Sequence, residues 1–300
     1  MATGAYRLHR SLGSRIADVT ILGVLTFLAL VTIFPFYNVL IMSVARYRDI
    51  VQTPLYIWPQ AIDLTAYRMI FMDRLLGNSF LVSVVITLGG TALSMFVTIP
   101  TAWALSKPDL PGRNWLFMVV IFSMYFSGGL IPWYLVIRGL GMLNTLWVLM
   151  IPLAFNAFFM ILMKNYFLTM PESLEESARI DGASNPQILV RIVVPTSAPI
   201  MATISLFYAV ARWNDWFMGM LFIRDPMKLP LQNVLRRVVV EANLELGNVM
   251  AAAMRDSVMR IYPMTIQMAT VVVATVPILL VYPFLQKHFT KGILLGSIKA

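Results

Sequence analysis

The chain contains no cysteine. That absence excludes disulfides, cysteine-ligated zinc and thiol catalysis. Histidine is nearly missing too. His9 and His288 lie close to the two ends of the 300 residues, so no histidine-based metal centre or acid–base pair can be built between them. Charge is the third scarcity. Asp, Glu, Lys and Arg make up 12% of the residues, about half the roughly 25% typical of soluble domains. No Gly-x-x-x-x-Gly-Lys-Ser/Thr loop occurs, so the chain has no such cradle for nucleotide phosphates.

Apolar residues are what the sequence has in quantity. They account for 59% of the chain, with a mean hydropathy of +0.77. A soluble core of this size would leave too much apolar surface in water. The reading is therefore a polytopic membrane protein. The net charge of +9 would point to nucleic acid in a soluble protein. In a membrane protein, cytosolic loops and anionic lipid headgroups account for much of it, and no nucleic-acid partner is expected.

A bilayer core requires about 20 apolar residues per helix. Six runs meet that need: 16–44, 79–105, 115–137, 145–163, 198–223 and 264–285. The first is too long for a cleavable signal peptide and lacks a small-residue cleavage site. Open strands cannot span lipid, because their edge amides would go unsatisfied. The expected fold is all-α, one transmembrane domain over 1–300 with six spans. Pro35, Pro100, Pro132 and Pro277 predict kinks, and "SGGLIP" (127–132) predicts a break in the third span. With six spans both termini share a side. Counting basic residues puts eleven on each side and does not orient the chain. Arg7, Arg10 and Arg15 precede the first span and favour a cytoplasmic N-terminus.

One polar segment interrupts this pattern, "EESARIDGASNPQILVRIVVPTSAP" at 175–199. Pro171 suits a first helical turn, and Glu172, Glu175 and Glu176 follow where carboxylates favour the helix dipole. Leu174, Ser177 and Ala178 share a face by i, i+3, i+4 spacing, with Glu172, Glu175 and Arg179 directed elsewhere. Gly182 can end that helix at positive φ. Asn185 and Pro186 can cap and open a second helix, with an apolar face of Ile188, Leu189, Ile192 and Val193. Pro195 and Pro199 limit it. The product is a short, stiff, bent helix pair at a membrane face.

This segment closely resembles the cytosolic loop signature of membrane subunits in binding-protein-dependent ABC importers. The family pattern is Glu-Ala-Ala, three residues, Gly, nine residues, then Ile-x-Leu-Pro. Here Glu176, Ser177 and Ala178 form the triplet, Gly182 follows, and Ile192, Val193, Val194 and Pro195 close it. Ser177 and Val194 depart from the pattern conservatively. The core Asp181-Gly182-Ala183, residues 125–152 and residues 286–300 resemble the carbohydrate branch, MalG-like and LplC-type oligosaccharide or polysaccharide permeases. The resemblance implies a type I ABC importer permease in the bacterial inner membrane, with both termini cytoplasmic. The loop 171–195 would then be a coupling helix docked on an ATPase, with Glu175, Glu176, Ser177, Ala178, Asp181, Gly182, Ala183, Ile192 and Pro195 as its coupling residues. The chain would bind no cofactor, ATP and Mg belonging to the ATPase. The implied complex holds a second homologous permease, different rather than identical, two ATPase subunits and an extracytoplasmic solute-binding protein. The tail 287–300 resembles tails that reach toward the ATPase; a basic tail on the membrane surface is the alternative.

The substrate path is less legible. Arg212 and Asp215, three residues apart in "VARWNDWF", are ionisable groups within a span and so candidates for function. Trp213 and Trp216 can stack on sugar rings, and Tyr125, Trp133 and Tyr134 can line the same path. A buried structural salt bridge, or an interfacial belt with the tryptophans, fits the same residues. The loops opposite the coupling segment carry a net charge of +4. That charge suits an acidic substrate such as a polyuronide by steering, and suits an acidic binding protein at least as well. A secondary transporter or channel is the alternative function. It would need mid-membrane coupling carboxylates, and Asp215 is the one candidate. An intramembrane enzyme lacks its histidine or thiol.

Overall fold

The computed structural model describes residues 12–46, 49–50, 56–238 and 263–296, and side chains only to residue 280. Arg7, Arg10, Arg48, Glu241, Glu245, Arg255, Asp256 and Arg260 lie outside the described residues, as do the side chains of the 287–300 tail. The described residues are helical, with one isolated antiparallel bridge, Ala45 to Ile62, and no strand. The helices are α1 (Leu12–Ser43), α2 (Thr65–Met72), α3 (Arg74–Ser106), α4 (Arg113–Tyr125), α5 (Leu130–Gly139), α6 (Ala157–Phe167), α7 (Ser173–Ile180), α8 (Asn185–Thr196), α9 (Ala198–Trp213), α10 (Phe217–Phe222) and α11 (Pro263–Gly296). Residues 231–238 are helical too.

Contacts divide the chain into two units. One comprises 1–69 and 250–272. Its longest element, α1, is apolar around its circumference and exposed from 16 to 36. Such a helix requires lipid or a partner subunit as cover. Beyond its C-terminus the chain folds back. Tyr37 Oη donates to Ile57 O (2.7 Å) and Asn38 Nδ2 to Tyr56 O (3.1 Å). Ala45, Ile50 and Tyr56 form a small buried cluster.

The other unit comprises 70–249 and 273–300. Its spine is α3, whose 33 residues reach about 50 Å at 1.5 Å per residue. Asp73 caps the start, its carboxylate accepting from Leu75 N at 2.8 Å. Against the C-terminal half of α3 pack α6, α7, α8 and α9, around Trp103, Met160, Met163, Phe167, Ala178, Ile188, Val193, Ile204 and Tyr208. The N-terminal half of α3 holds the 225–234 segment: Ser83 Oγ accepts from Leu231 N (2.8 Å), and Asn78 Nδ2 donates to Met227 O.

Among the described residues two helices on their own, Ile16–Ser43 and Arg74–Ser106, are long and apolar enough to cross a bilayer; up to four spans arise if each bent pair counts as one. The expected third span is broken at the glycines. Its halves α4 and α5 meet at 114°, and Gly129 adopts φ +85° at the joint. The fourth does not start as an α-helix. A 3₁₀ turn at Leu146–Leu149 leads into irregular chain, and α6 begins only after Asn156, whose Oδ1 caps Phe159 N at 3.1 Å. Pro152 explains the delay, because it cannot donate to a helical ladder. The fifth breaks at 214–216, where Asp215 Oδ1 accepts from Phe217 N (3.0 Å) and Met218 N (3.2 Å) and so starts α10.

Candidate functional site

The polar loop folds as two helices around Gly182. At the end of α7, Ala183 N donates to Ala178 O (2.9 Å) and Gly182 N to Arg179 O (3.0 Å). This 6→1 and 5→2 pair is a Schellman motif, which needs a left-handed residue. Gly182 supplies it with φ +80°. The second helix is capped one residue earlier than expected, by Ser184 rather than Asn185: Ser184 N donates to Gln187 Oε1 at 2.8 Å. Pro195 does not stop this helix. A π-turn over Leu189–Val193 precedes it, a local adjustment of the kind that re-satisfies backbone groups freed by a proline. The chain turns by 87° into α9 only after Thr196.

The spacing grouped Leu174, Ser177 and Ala178 on one face of α7, and the structure divides that group. Glu175 and Ala178 are buried, whereas Leu174 and Ser177 are exposed. The groove beside α3 offers polar partners. Glu175 Oε1 accepts from Lys107 Nζ (2.5 Å) and from Trp103 Nε1 (3.2 Å), both at the C-terminal end of α3. Burying a carboxylate without partners would cost several kcal/mol; here both donors are in place. Ala178 is small enough to let α7 approach the bundle. Glu176 and Asp181 are exposed, and Glu172, Glu176 and Arg179 line a polar cavity of 130 Å³ together with Lys107 and Asp109. Ile188 and Val193 are fully buried, Ile192 packs beside them, Ala183 is half-buried and Pro195 exposed. The outer side of the loop presents Leu174, Ile180 and Val190. Ile180 is 87% exposed and Val190 64%, an apolar rim left without cover in this chain.

The seven residues proposed for a substrate path do not converge. Arg212 is 3% exposed. Its Nη1 donates to Leu149 O (2.8 Å), and its Nη2 to Met150 O (3.1 Å), Leu153 O (2.9 Å) and Ser94 Oγ (2.9 Å). It therefore satisfies the carbonyl at the end of the 3₁₀ turn, Leu149 O, and two that the irregular 150–156 segment leaves out of any helix, a need that irregular backbone at membrane depth creates. Tyr208, one turn earlier, completes the set: its Oη accepts from Asn156 N (3.1 Å) and bonds Thr98 Oγ1 (2.9 Å). Gly90 makes room, since a Cβ there would sit 2.6 Å from Arg212 Nε. Arg212 and Asp215 form no ion pair; the aspartate serves α10 instead. Trp213 is buried, donates to Ala274 O at 3.1 Å and borders an apolar cavity of 180 Å³. Trp133 and Tyr134 both pack on Phe222. Tyr125 is 84% exposed. Trp216 is partly exposed beneath the Arg236 guanidinium at 3.7 Å. Sequence reasoning missed Ser94, Thr98, Tyr208 and Gly90. The signal was there, two i, i+4 polar pairs (94/98 and 208/212) inside apolar runs.

The helical bundle and its bent, anchored loop fit the membrane component of an ATP-driven importer. Residues 88–295 match the family described as "Binding-protein-dependent transport system inner membrane component", and the chain belongs to that family. It is the membrane component of such an importer, not its ATPase. The chain is 44% identical over 286 residues to the polygalacturonan/rhamnogalacturonan transport system permease protein YtcP of Bacillus subtilis (strain 168), covering 95% of this chain and 99% of that one. It is 43% identical over 296 residues to Protein LplC of the same organism, with 98% of each covered. Among solved structures it resembles a chain of a bacterial ABC transporter involved in the import of the acidic polysaccharide alginate, with a TM-score of 0.84 and 33% identity over 96% of this chain and 100% of that one.

Proposed function

We propose that this chain carries acidic oligosaccharides or polysaccharide fragments, such as polyuronides, across the inner membrane as one of two non-identical permeases. In this reading 1–300 is one transmembrane domain with six spans and cytoplasmic termini. The loop 171–195 docks on one of two ATPase subunits that bind ATP and Mg, and the opposite face receives a solute-binding protein. The observation that carries the coupling reading is the two-sided loop. One side is anchored by Glu175, Ala178, Ile188 and Val193; the other offers Leu174, Ile180 and Val190 around a rigid bend. An exposed apolar rim on a loop that leaves the membrane calls for a protein partner.

The acidic-substrate reading draws on the relatives named above and on the basic residues of the opposite face. Arg138, Arg224 and Arg236 are exposed there. Arg236, braced on Trp216, pairs a guanidinium with an aromatic face. Of the other path candidates, Trp133, Tyr134, Arg212, Trp213 and Asp215 support that path from behind in this reading, with Arg212 holding its wall together, while exposed Tyr125 stays a lining candidate.

Co-expression with the partner permease, the ATPase and the binding protein, followed by uptake into vesicles, tests both parts. The complex is expected to take up oligogalacturonate and to lose ATP-driven uptake on Gly182→Val or Glu176→Lys while staying membrane-inserted. Wild-type uptake in both variants would remove the coupling role. Preference for a neutral oligosaccharide would remove the acidic substrate.

A further inference from the structure

We propose that Glu175 is a positioning residue that transmits movement of the coupling loop to α3, through Lys107 and Trp103. The proposal rests on the coupling reading above and gives it a load path. Along the chain, α7 is separated from α3 by α4, α5, the irregular 150–156 segment and α6. Any direct transfer between α7 and α3 must therefore be non-covalent. The face that α7 turns inward holds two buried residues, Glu175 and Ala178. A methyl contact resists compression but slides under shear and separates under tension. A charge-assisted hydrogen bond is directional and resists both.

The geometry gives Glu175 that property. Its Oε1 receives Lys107 Nζ at 2.5 Å and Trp103 Nε1 at 3.2 Å. The Lys107 ammonium lies 5.4 Å from the Trp103 ring centroid, so the three side chains close a triangle. Trp103 stands in the last turn of α3 and Lys107 is its C-cap, so the brace grips the end of the spine. The Glu175 side chain is 10% exposed and that of Lys107 25%, which shields the pair from screening by salt. Glu176 and Arg179, on the polar cavity beside it, stay available to a partner. Adjacent glutamates thus divide the work: Glu175 faces the bundle and Glu176 faces outward.

The test uses the full complex in vesicles, with oligogalacturonate trimer as the sugar probe. Three quantities are read: ATPase retained on purification, hydrolysis rate, and sugar moved per ATP. In Glu175→Gln and Lys107→Met the ATPase is retained and hydrolysis continues. Sugar per ATP falls about fivefold or more, the lower end of typical coupling between two sites. Lys107→Arg keeps the ion pair and the wild-type ratio. The double variant Glu175→Gln/Lys107→Met is no worse than either single change, because both remove one interaction. Loss of the ATPase in Glu175→Gln would make this residue a docking contact and overturn the proposal. So would an unchanged ratio in the single variants, or additive losses in the double. A wild-type complex that retains no ATPase would instead refute the coupling reading itself.

Discussion

Replacing Arg212 by leucine withdraws one guanidinium from four acceptors at once. Three are backbone carbonyls, of Leu149, Met150 and Leu153, and the fourth is Ser94 Oγ. Ser94 can turn its hydroxyl to a carbonyl of its own helix. The three carbonyls have no α-helical ladder to join, because the 3₁₀ turn ends at Leu149 and Pro152 delays the next helix. An unsatisfied buried polar group costs about 1–3 kcal/mol. Three such groups would sum to roughly 3–9 kcal/mol, but removing Arg212 also relieves its own desolvation, of several kcal/mol. The expected net loss is about 2–5 kcal/mol. Lysine offers a point charge in place of a planar fork, so Arg212→Lys should recover part of the loss and not all. Gly90→Ala should act through the same guanidinium, since the new Cβ would lie 2.6 Å from its Cδ and Nε. In the Arg212→Leu background the alanine has nothing to strike, and its cost should vanish. The assay is unfolding of the purified complex in detergent, as a double-mutant cycle. An Arg212→Leu variant within about 0.5 kcal/mol of wild type, the range of an ordinary surface change, would refute the carbonyl-clamp argument. A Gly90→Ala cost that persists without the arginine would refute the steric one.

Tyr208→Phe removes the acceptor for Asn156 N and the bond to Thr98, and should lower stability in the same assay by about 1–3 kcal/mol for the stranded amide. A Cβ at Gly182 meets no atom within 4 Å, so the cost of Gly182→Val is chiefly backbone strain at φ +80°, about 1–2 kcal/mol. Proteolysis should show a loosened loop in an otherwise folded chain, and Gly182→Asn should be milder than valine. In the first unit, Asp63 is held below the usual carboxylate range, chiefly by the Thr65 hydroxyl and amide that donate to it. A depressed native value stabilises above the unfolded value and loses that contribution as pH falls through the native one. Asp63→Asn should therefore lower the thermal midpoint at neutral pH, and the gap to wild type should close in strong acid.

Much of the loop was readable from local chemistry. Gly182, the acidic first turn and Pro186 act within a few residues of themselves, so their geometry follows from sequence order. The break at 127–132 was readable for the same reason. In the fourth run the α-helix starts late, at Ala157; hydropathy counts apolar residues and ignores whether Pro152 lets them share a helix. Arg212 and Asp215 are close in sequence, yet each finds a better partner elsewhere.

Sequence alone determined the helical membrane class and the bend at Gly182, because backbone hydrogen bonding in lipid and backbone sterics at one residue are local matters. Only the tertiary structure decided that Glu175 turns toward α3 and that Arg212 clamps an unwound segment. Their partners lie 68 and 72 residues away for the glutamate and as far as 118 for the arginine, and no spacing rule along the chain brings such groups into hydrogen-bond reach.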